Sequence, residues 1–474
     1  MALDKLSSIS VIGTRQYFSS HKRLDVYFVH PDKIDAYAYI RNIAETTGLK
    51  LDDLERLLVL KPASGRGSKE QTGSAMVIKP GLLSSDFLIN TDNAAWTTDD
   101  DFNASEKGQL KNGDILVLSA AHATGYIGKN TSIFLTSDDT KAICIGELIR
   151  LRSDNKKINP YYLLAYLNNQ KVRLFFQYSV RGQTVHLYPN DIRKIPVILP
   201  PRKIQDSIGN KLKRSIEAKL EARKKKKDID EIFAKYLPVH FETSNDISFC
   251  YHKRIVLTEK RLDPRCHDVK IIKPLNFFFR KVKYPLKDLS TLLDRPIFYP
   301  SQFKRVSNPR ENLYPMLSVG NISSSRLVEE GISYFNLPDK EKDRYMLKEG
   351  WIITARSGSI TSVAIVDAKF NGYCASEHLL RIPAKKDYFP YYVYSFLTTI
   401  WGRLQIQRYI YGAVVPEISS RFLSKIKIPD LPIEVKQKID RGQKQRFDLE
   451  EISLELRKQA MFELEKLLST DGGA

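Results

Sequence analysis

Three groupings in this 474-residue sequence have residue types that chemistry could use, and each lacks the spacing. Asn159-Pro160-Tyr161-Tyr162 is one proline short of the N-P-P-Y/F loop of amino-methyl transfer, and no Gly-rich cofactor strand precedes it. It reads instead as a helix start. Gly125-Tyr126-Ile127-Gly128-Lys129-Asn130 lacks the G-x-x-x-x-G-K-[ST] spacing that wraps phosphates. Cys250, His252, Cys266 and His267 form C-x-H and C-H pairs, too close for an ordinary structural zinc site, which needs wider ligand spacing. The sequence therefore offers no catalytic residue and no metal ligand set.

Polyanion recognition is better supplied. Base edges are read by Arg, Lys, Asn and Gln, while Lys, Ser and backbone N–H groups hold phosphates. Four loop-like stretches carry these types: Lys61 to Lys69 with Arg66, Arg181 to His186 with Gln183, Lys304 to Arg310 with Arg305, and Arg356 to Ser359 with Ser357. Lys129 and Tyr411 complete the set, because Tyr411-Gly412 stands in the second half of the chain where Arg181-Gly182 stands in the first. The 75 Lys and Arg against 55 Asp and Glu give a formal charge of +20, a surplus that favours a phosphate-bearing partner.

The elements that position these loops occur twice. Arg23-Leu24-Asp25 returns at Arg261, L-D-D-L-E-R-L-L from Leu51 at Leu286, and L-K-N-G-D-I-L from Leu110 at Leu347. N-P-Y-Y-L-L-A-Y-L from Asn159 is echoed from Phe389, and R-K-I-P-V-I-L-P-P from Arg193 is echoed from Ser424. Five echoes in one order, at a nearly constant offset, identify a tandem duplication. Each copy predicts short strands, at Asp114–Leu118, Thr131–Leu135, Ile143–Leu151 and Ile195–Leu199 in the first. Tyr314–Val319, Trp351–Ala355, Ser362–Val366 and Leu379–Ile382 read alike in the second, with helical pieces at Tyr161–Gln177 and Tyr391–Gln407.

Each copy ends in a long amphipathic stretch. From Arg202 to Leu237, Ile204, Ile208, Leu212, Ile216 and Leu220 recur every four residues between flanking prolines, followed by Ile229, Ile232 and Phe233. The second runs from about Glu434 to Leu468 and carries Ile439, Leu449, Ile452 and Leu456. The predicted fold is α+β: a tandem duplication of two mostly-β domains (1–200 and 238–432) separated by two long antiparallel α-helices (201–237 and 433–470), a coiled-coil spacer. No apolar run reaches the length of a membrane span, the start M-A-L-D-K-L-S-S-I-S has no apolar signal region, and four scattered cysteines suit a reduced cytoplasmic chain.

These residues resemble the specificity (S) subunit of type I restriction–modification enzymes. The resemblance rests on G-D-I-L at Gly113 and G-W-I-I at Gly350, A-R-S-G-S-I-T-S-V-A-I-V from Ala355, a helix opening P-Y-Y, the K-I-P exit and a long helix, all doubled. It covers almost the whole chain, and copy one departs from it at L-S-A-A-H-A-T-G-Y-I-G-K-N-T-S from Leu118. The resemblance implies two target-recognition domains, each reading half of a split site in double-stranded DNA. It further implies helices that set the gap and dock two adenine methyltransferase (M) subunits through Ile204, Ile208, Leu212, Ile216, Leu220, Ile439, Ile452 and Leu456. Motor–nuclease (R) subunits would join, and S-adenosylmethionine, Mg and ATP would belong to those partners, leaving this chain with no cofactor and no catalysis. Two other readings stand beside it: a restriction or methylation enzyme carrying two recognition domains, and an assembly adaptor that does not bind DNA.

Overall fold

The structure is a computed structural model, and it describes residues 29–67, 72–136, 140–182, 185–238, 261, 263–302, 313–337, 342–358, 360, 362–412 and 414–469. The chain divides into two compact units, unit 1 of Met1–Leu220 with Glu450–Ala474 and unit 2 of Glu221–Leu449. Each long helix contributes one part to each unit.

Unit 1 opens with α1 (Pro31–Thr47), ended by Gly48 in the left-handed conformation. There follow β1 (Lys50–Asp53), β2 (Leu58–Ser64), β3 (Ala75–Ile78), β4 (Ala95–Thr97), β5 (Ile115–Leu118), β6 (Ala120–Ala121) and β7 (Ser132–Ile133). Next come β8 (Ala142–Cys144), β9 (Leu148–Ser153), α2 (Pro160–Asn168), α3 (Gln170–Gln177), β10 (Val185–His186), β11 (Pro196–Leu199) and the long helix α4 (Arg202–Tyr236). β5 lies between β7 and β9, with β2 beyond β9, while β3 lies between an antiparallel β4 and a parallel β8. Where the sequence predicts one strand over Ile143–Leu151, Ile145-Gly146-Glu147 break it into β8 and β9, which enter different sheets. The predicted helix Tyr161–Gln177 is likewise two helices. Asn169 intervenes because its side chain accepts from Lys171 N and so caps the second.

Unit 2 holds α5 (Val269–Lys281), β12 (Leu286–Asp288), β13 (Tyr314–Leu317), the hairpin β14 (Ile322–Ser323) and β15 (Arg326–Leu327), β16 (Ser333–Phe335) and β17 (Ile352–Ala355). It continues with β18 (Val363–Ile365), β19 (Cys374–Ala375), β20 (Leu379–Ile382), α6 (Pro390–Leu397), α7 (Ile400–Tyr409), β21 (Lys427–Pro429) and the long helix α8 (Ile433–Leu467). The predicted helix Tyr391–Gln407 is split in the same way, with Thr399 accepting from Gly402 N to start α7. The topology repeats that of unit 1. β17 lies between β18 and β20, β13 lies between antiparallel β16 and parallel β19, and β12 pairs β21 as β1 pairs β11. Gly113 and Gly350 both take positive φ (92° and 85°) just ahead of the central strand. The counterpart of β2 is reduced to two isolated bridges, Leu293 to Ala384 and Phe298 to Arg381.

The long helices are part of each unit's core. In unit 1, Ile208, Leu212 and Ile216 of α4 and Ala460 and Leu464 of α8 are buried with Tyr162, Leu163 and Tyr166. Ser207 and Lys211 meet Glu463, and Ser215 Oγ donates to Ser453 O at 2.6 Å, so the paired segments run antiparallel. The predicted single ridge is corrected here. Residues four apart on a helix of 3.6 residues per turn drift by about 40° per step, so the two ends of the run rotate outward: Ile204 is 39% and Leu220 36% exposed. In unit 2, Ile229 and Phe233 of α4 and Ile439 and Phe447 of α8 are buried together, with Gly442 lying against Ile229.

A joint ties each unit's strands and paired helices to its long helices. In unit 1, Asn159 Oδ1 accepts from Tyr161 N (2.9 Å) and Tyr162 N (3.2 Å), while its Nδ2 donates to Asp206 of α4 at 2.8 Å. The Asn-Pro-Tyr-Tyr stretch is therefore a helix start, as the sequence reading has it. Unit 2 has Phe389 in place of the asparagine, and Asp440 of α8 accepts from Tyr391 N (2.8 Å) and Tyr392 N (3.3 Å) instead. Nearby, Asp430 accepts from Lys436 of α8 (2.6 Å) and Tyr388 (2.8 Å) and pairs with Lys287 of β12 (2.8 Å). Burial alone would raise the Asp430 pKa. Hydrogen bonds from Lys287, Lys436 and Tyr388 outweigh it and lower the value from an ordinary 3.8 to about 2. A carboxylate held below its unfolded value stabilises above pH 4, and that stability is lost as pH falls toward 2. Asp430→Asn should cost about 2 kcal/mol at neutral pH. It should also flatten the fall in stability below pH 4, measured by urea unfolding of the full chain; equal slopes in variant and wild type would contradict this joint.

Candidate nucleic-acid interface

In both units the same two loops are hydrogen-bonded together at the end of the central strand. In unit 1, Ser119 N donates to Glu147 O (2.8 Å) directly after β5, and Leu187 N donates to Ser119 O (2.7 Å). The turn Arg181–His186 is closed by Arg181 N to His186 O (2.8 Å) and the reciprocal bond (3.1 Å), and its β10 limb pairs with β6. In unit 2, Arg356 N donates to His378 O (2.8 Å) directly after β17, and Ile418 N donates to Arg356 O (2.9 Å). The turn Tyr411–Glu417 is closed by bonds of 2.9 and 2.7 Å, and Glu417 bridges to Ser357. Gly182 and Gly412 take the same left-handed φ (85° and 94°). The equivalence of Arg181-Gly182 and Tyr411-Gly412 in sequence is thus an equivalence in space.

Several of the predicted residues come together at these loops. Arg181 pairs with the buried carboxylate of Asp191 while its guanidinium lies 5.6 Å from the ring of Tyr188. His186 is half-buried, 6.4 Å from the same ring. Lys129 is exposed, its ammonium 5.4 Å from the Tyr126 ring, on a loop tied to β5 by Gly128 N to Leu118 O (3.0 Å). Arg66 follows β2 at this end, because Ser64 opposes Ile149 of β9, the residue next to the Leu148 that opposes Leu118 of β5. Its Nη1 donates to Ala104 O at 3.2 Å. Lys61 is exposed within β2, in the irregular register between Leu60 and Ala63. In unit 2, Arg356 lies over the Tyr299 ring at 4.7 Å, and Ser357 and Tyr411 are half-buried at the bridge to Glu417. Burial, then Glu417, raises the Tyr411 pKa, so the phenol keeps its proton. Lys69, Gln183, Lys304, Arg305, Arg310 and Ser359 lie outside the described residues.

The sequence reading missed two features. One is aromatic: Tyr126, Tyr188 and Tyr299 are 56%, 50% and 44% exposed beside the cations. Tyrosine next to Lys or Arg in a Gly-containing loop was the available signal. The other is a buried arginine on the strand beside the central one, Arg150 on β9 and Arg381 on β20, at corresponding places in the two copies. Arg150 donates to Gln109 O at 2.9 Å, and Arg381 donates to the carbonyls of Ser376, Leu379 and Ala375. Burial lowers the Arg381 pKa to about 9, which still leaves it protonated at neutral pH. Each copy therefore buries an arginine against backbone carbonyls in its sheet region.

Cys266 and His267 are buried within the chain, Cys266 Sγ donating to Asp263 O and His267 Nε2 lying 3.1 Å from Arg261 O. Cys250 and His252 lie outside the described residues. Among the described residues no group of three or more His, Cys, Asp or Glu is placed to hold a metal ion, and no helix is long and apolar enough to cross a membrane.

The type I restriction modification DNA specificity domain matches this chain twice, over residues 60–231 and 281–460. The chain belongs to that family. It is the sequence-specificity subunit, the part that reads DNA through two recognition domains and docks to methyltransferase partners rather than the part that performs catalysis. No curated protein matches the sequence. Among solved structures it is similar to a type I restriction–modification S subunit from M. genitalium, at 12% identity over 88% of this chain and 94% of that one, with a TM-score of 0.45. The HsdS subunit of Thermoanaerobacter tengcongensis aligns at 14% identity over 90% and 97%, with a TM-score of 0.29. A chain from a type I R-M complex, solved for its assembly and conformational transition, aligns at 14% identity over 89% and 98%, with a TM-score of 0.30. Superpositions this loose add nothing to the assignment, which rests on the family match.

Gly412→Ala tests the geometry of the unit 2 turn. An added Cβ would stand 2.3 Å from the Val415 carbonyl oxygen at a φ of 94°. Strain of about 1–3 kcal/mol should open the turn, so exchange of the Tyr411 and Glu417 amides should accelerate by roughly tenfold or more. Unchanged exchange at both would contradict the closed turn.

Proposed function

We propose that the paired loops are the DNA-reading surfaces, one per unit, and that each reads half of a split site. The observation that carries this is the doubled juxtaposition: one framework brings Arg181 and His186 beside Ser119–Lys129 in one unit, and Arg356 and Ser357 beside Tyr411–Glu417 in the other. The backbone arrangement is shared and the side chains differ, which is what two half-sites of different sequence require. The recognition domains correspond to residues 1–200 and 238–432, and the helices 201–237 and 433–470 fix the gap between half-sites.

Two adenine methyltransferase subunits would dock on the long helices, and motor–nuclease subunits would join them. S-adenosylmethionine, Mg and ATP are assigned to those subunits. Ile208, Leu212, Ile216 and Ile439 are buried within the chain, so docking falls to what remains outside. In unit 1 that surface includes Ile204, Leu220, Ile452 (49% exposed), Phe462 (68% exposed) and the half-buried Leu456.

Sequencing-based detection of methylated adenine, with and without this gene, tests the reading. Loss of one motif made of two short half-sites around a fixed gap is expected. Unchanged methylation, together with no DNA binding by the purified chain, would favour the adaptor reading. The run Arg223–Lys227 on α4 supports a second test. Lys225, Lys226 and Lys227 pair with Glu221, Asp230 and Glu231 one helical turn away, which leaves less than its full charge for phosphate. Replacing all five by Gln should flatten the log–log salt dependence of DNA binding by about 2, the equivalent of roughly two phosphate contacts. An unchanged slope would remove this stretch from the interface.

A further inference from the structure

The two equivalent turns differ at their tips. Unit 1 has Gly182-Gln183-Thr184-Val185 between its closing residues, whereas unit 2 has Gly412-Ala413-Val414-Val415-Pro416. Val185 is buried, but Val414 is 93% and Val415 56% exposed. The unit 2 turn is held on both limbs, by the paired bonds between Tyr411 and Glu417 and by Gly358 N to Pro416 O (3.2 Å) and Ile418 N to Arg356 O (2.9 Å). The two adjacent exposed valines thus sit on a turn bonded to the loop that carries Arg356, whose guanidinium lies over the exposed Tyr299 ring.

A single exposed valine needs no explanation. Two on a turn tied by hydrogen bonds to the loop of a half-buried arginine form a mixed surface that a nucleic-acid groove can complement. Of the four bases only thymine offers an apolar group there, its C5 methyl in the major groove. A protein partner would also accept valines, but the net charge of +20 and the membership of a DNA-specificity family favour DNA.

We infer that Val414, backed by Val415, contacts a thymine 5-methyl group in the half-site read by unit 2, so that this half-site is specified in part by apolar contact. Its counterpart is read by the polar turn of unit 1. The inference rests on the reading that the paired loops face DNA.

The test uses the full complex with its methyltransferase subunits and labelled duplexes carrying the methylated motif. Each thymine is replaced in turn by deoxyuridine, which removes only the methyl group. One replacement, in one half-site, should weaken binding by about fourfold, the value of one buried methyl-sized group. The Val414→Ser, Val415→Ser double variant should weaken binding of the thymine duplex by a similar factor and become indifferent to that deoxyuridine. The inference is overturned if no position depends on its methyl group, or if the deoxyuridine penalty persists in the variant. Arg356→Ala separates the two levels of the argument. If it weakens binding while the methyl groups have no effect, the loop faces DNA and the valine contact alone is wrong. If neither Arg356→Ala nor the valine variant alters affinity, the loop reading falls as well.

Discussion

The capped start of one short helix, held against one long helix once in each unit, is the constraint on which the structure depends. The first N–H groups of a helix have no intrahelical partner, and burying them unpaired costs free energy. At α2 and α6 these groups sit against the long helices, so their partners must come from that direction. In unit 1 Asn159 caps its own helix and is held in turn by Asp206, and no side chain would fit at Gly209, where an added Cβ would stand 2.5 Å from Asn159 Oδ1. In unit 2 the capping group is lost to Phe389 and Asp440 crosses over to supply it. Burial raises the Asp440 pKa although two N–H donors pull it down. The direct cap therefore places a carboxyl group in a drier position than the asparagine solution does.

Because this joint fixes α2 and α6, the strands behind them can keep one topology while the loops at their far end diverge. Tyr162 and Tyr392, equivalent residues of the two copies, both reach across to the last strand of their unit, to Ile198 O and Pro429 O. Such residues made the duplication legible in sequence, since the framework needs particular side chains at particular places. The loop pairing was less legible. Arg181–His186 and Arg356–Ser359 were recognisable as basic loops, but nothing local in sequence says that each is hydrogen-bonded to a second loop distant in the chain.

The long helices were legible in extent and misread in detail. Proline boundaries and apolar spacing gave their ends closely, yet a four-residue repeat cannot stay on one face, so Ile204 and Leu220 leave the seam. What occupies the seam in unit 1 is small and polar as well as apolar: Ser215 and Ser453 are buried against each other. Serine and alanine permit close approach of helix backbones, and a hydroxyl that donates to a carbonyl leaves no unmet polar group. A hydrophobic pattern search passes over such residues, which is why the sequence pointed to a leucine-type stripe.

The difference between the two tips bears on how a subunit of this kind acquires a new target. If the framework alone set what is read, two copies with one topology would favour one half-site. The turns show where the freedom lies: an arginine paired to Asp191 in one copy, two bare valines in the other, on backbones closed by the same pair of hydrogen bonds. Changing such a tip costs the core nothing, because Val414 contributes no buried surface to it. On the proposed reading, each turn would meet few bases and so bind weakly by itself. Specificity then arises from joining both readers in one chain, where the second contact becomes effectively intramolecular, and from a surplus of positive charge that holds the duplex while both are tried. If selectivity lies in the turns as proposed, it is separate from the joints and helices that carry stability, and the two can change independently.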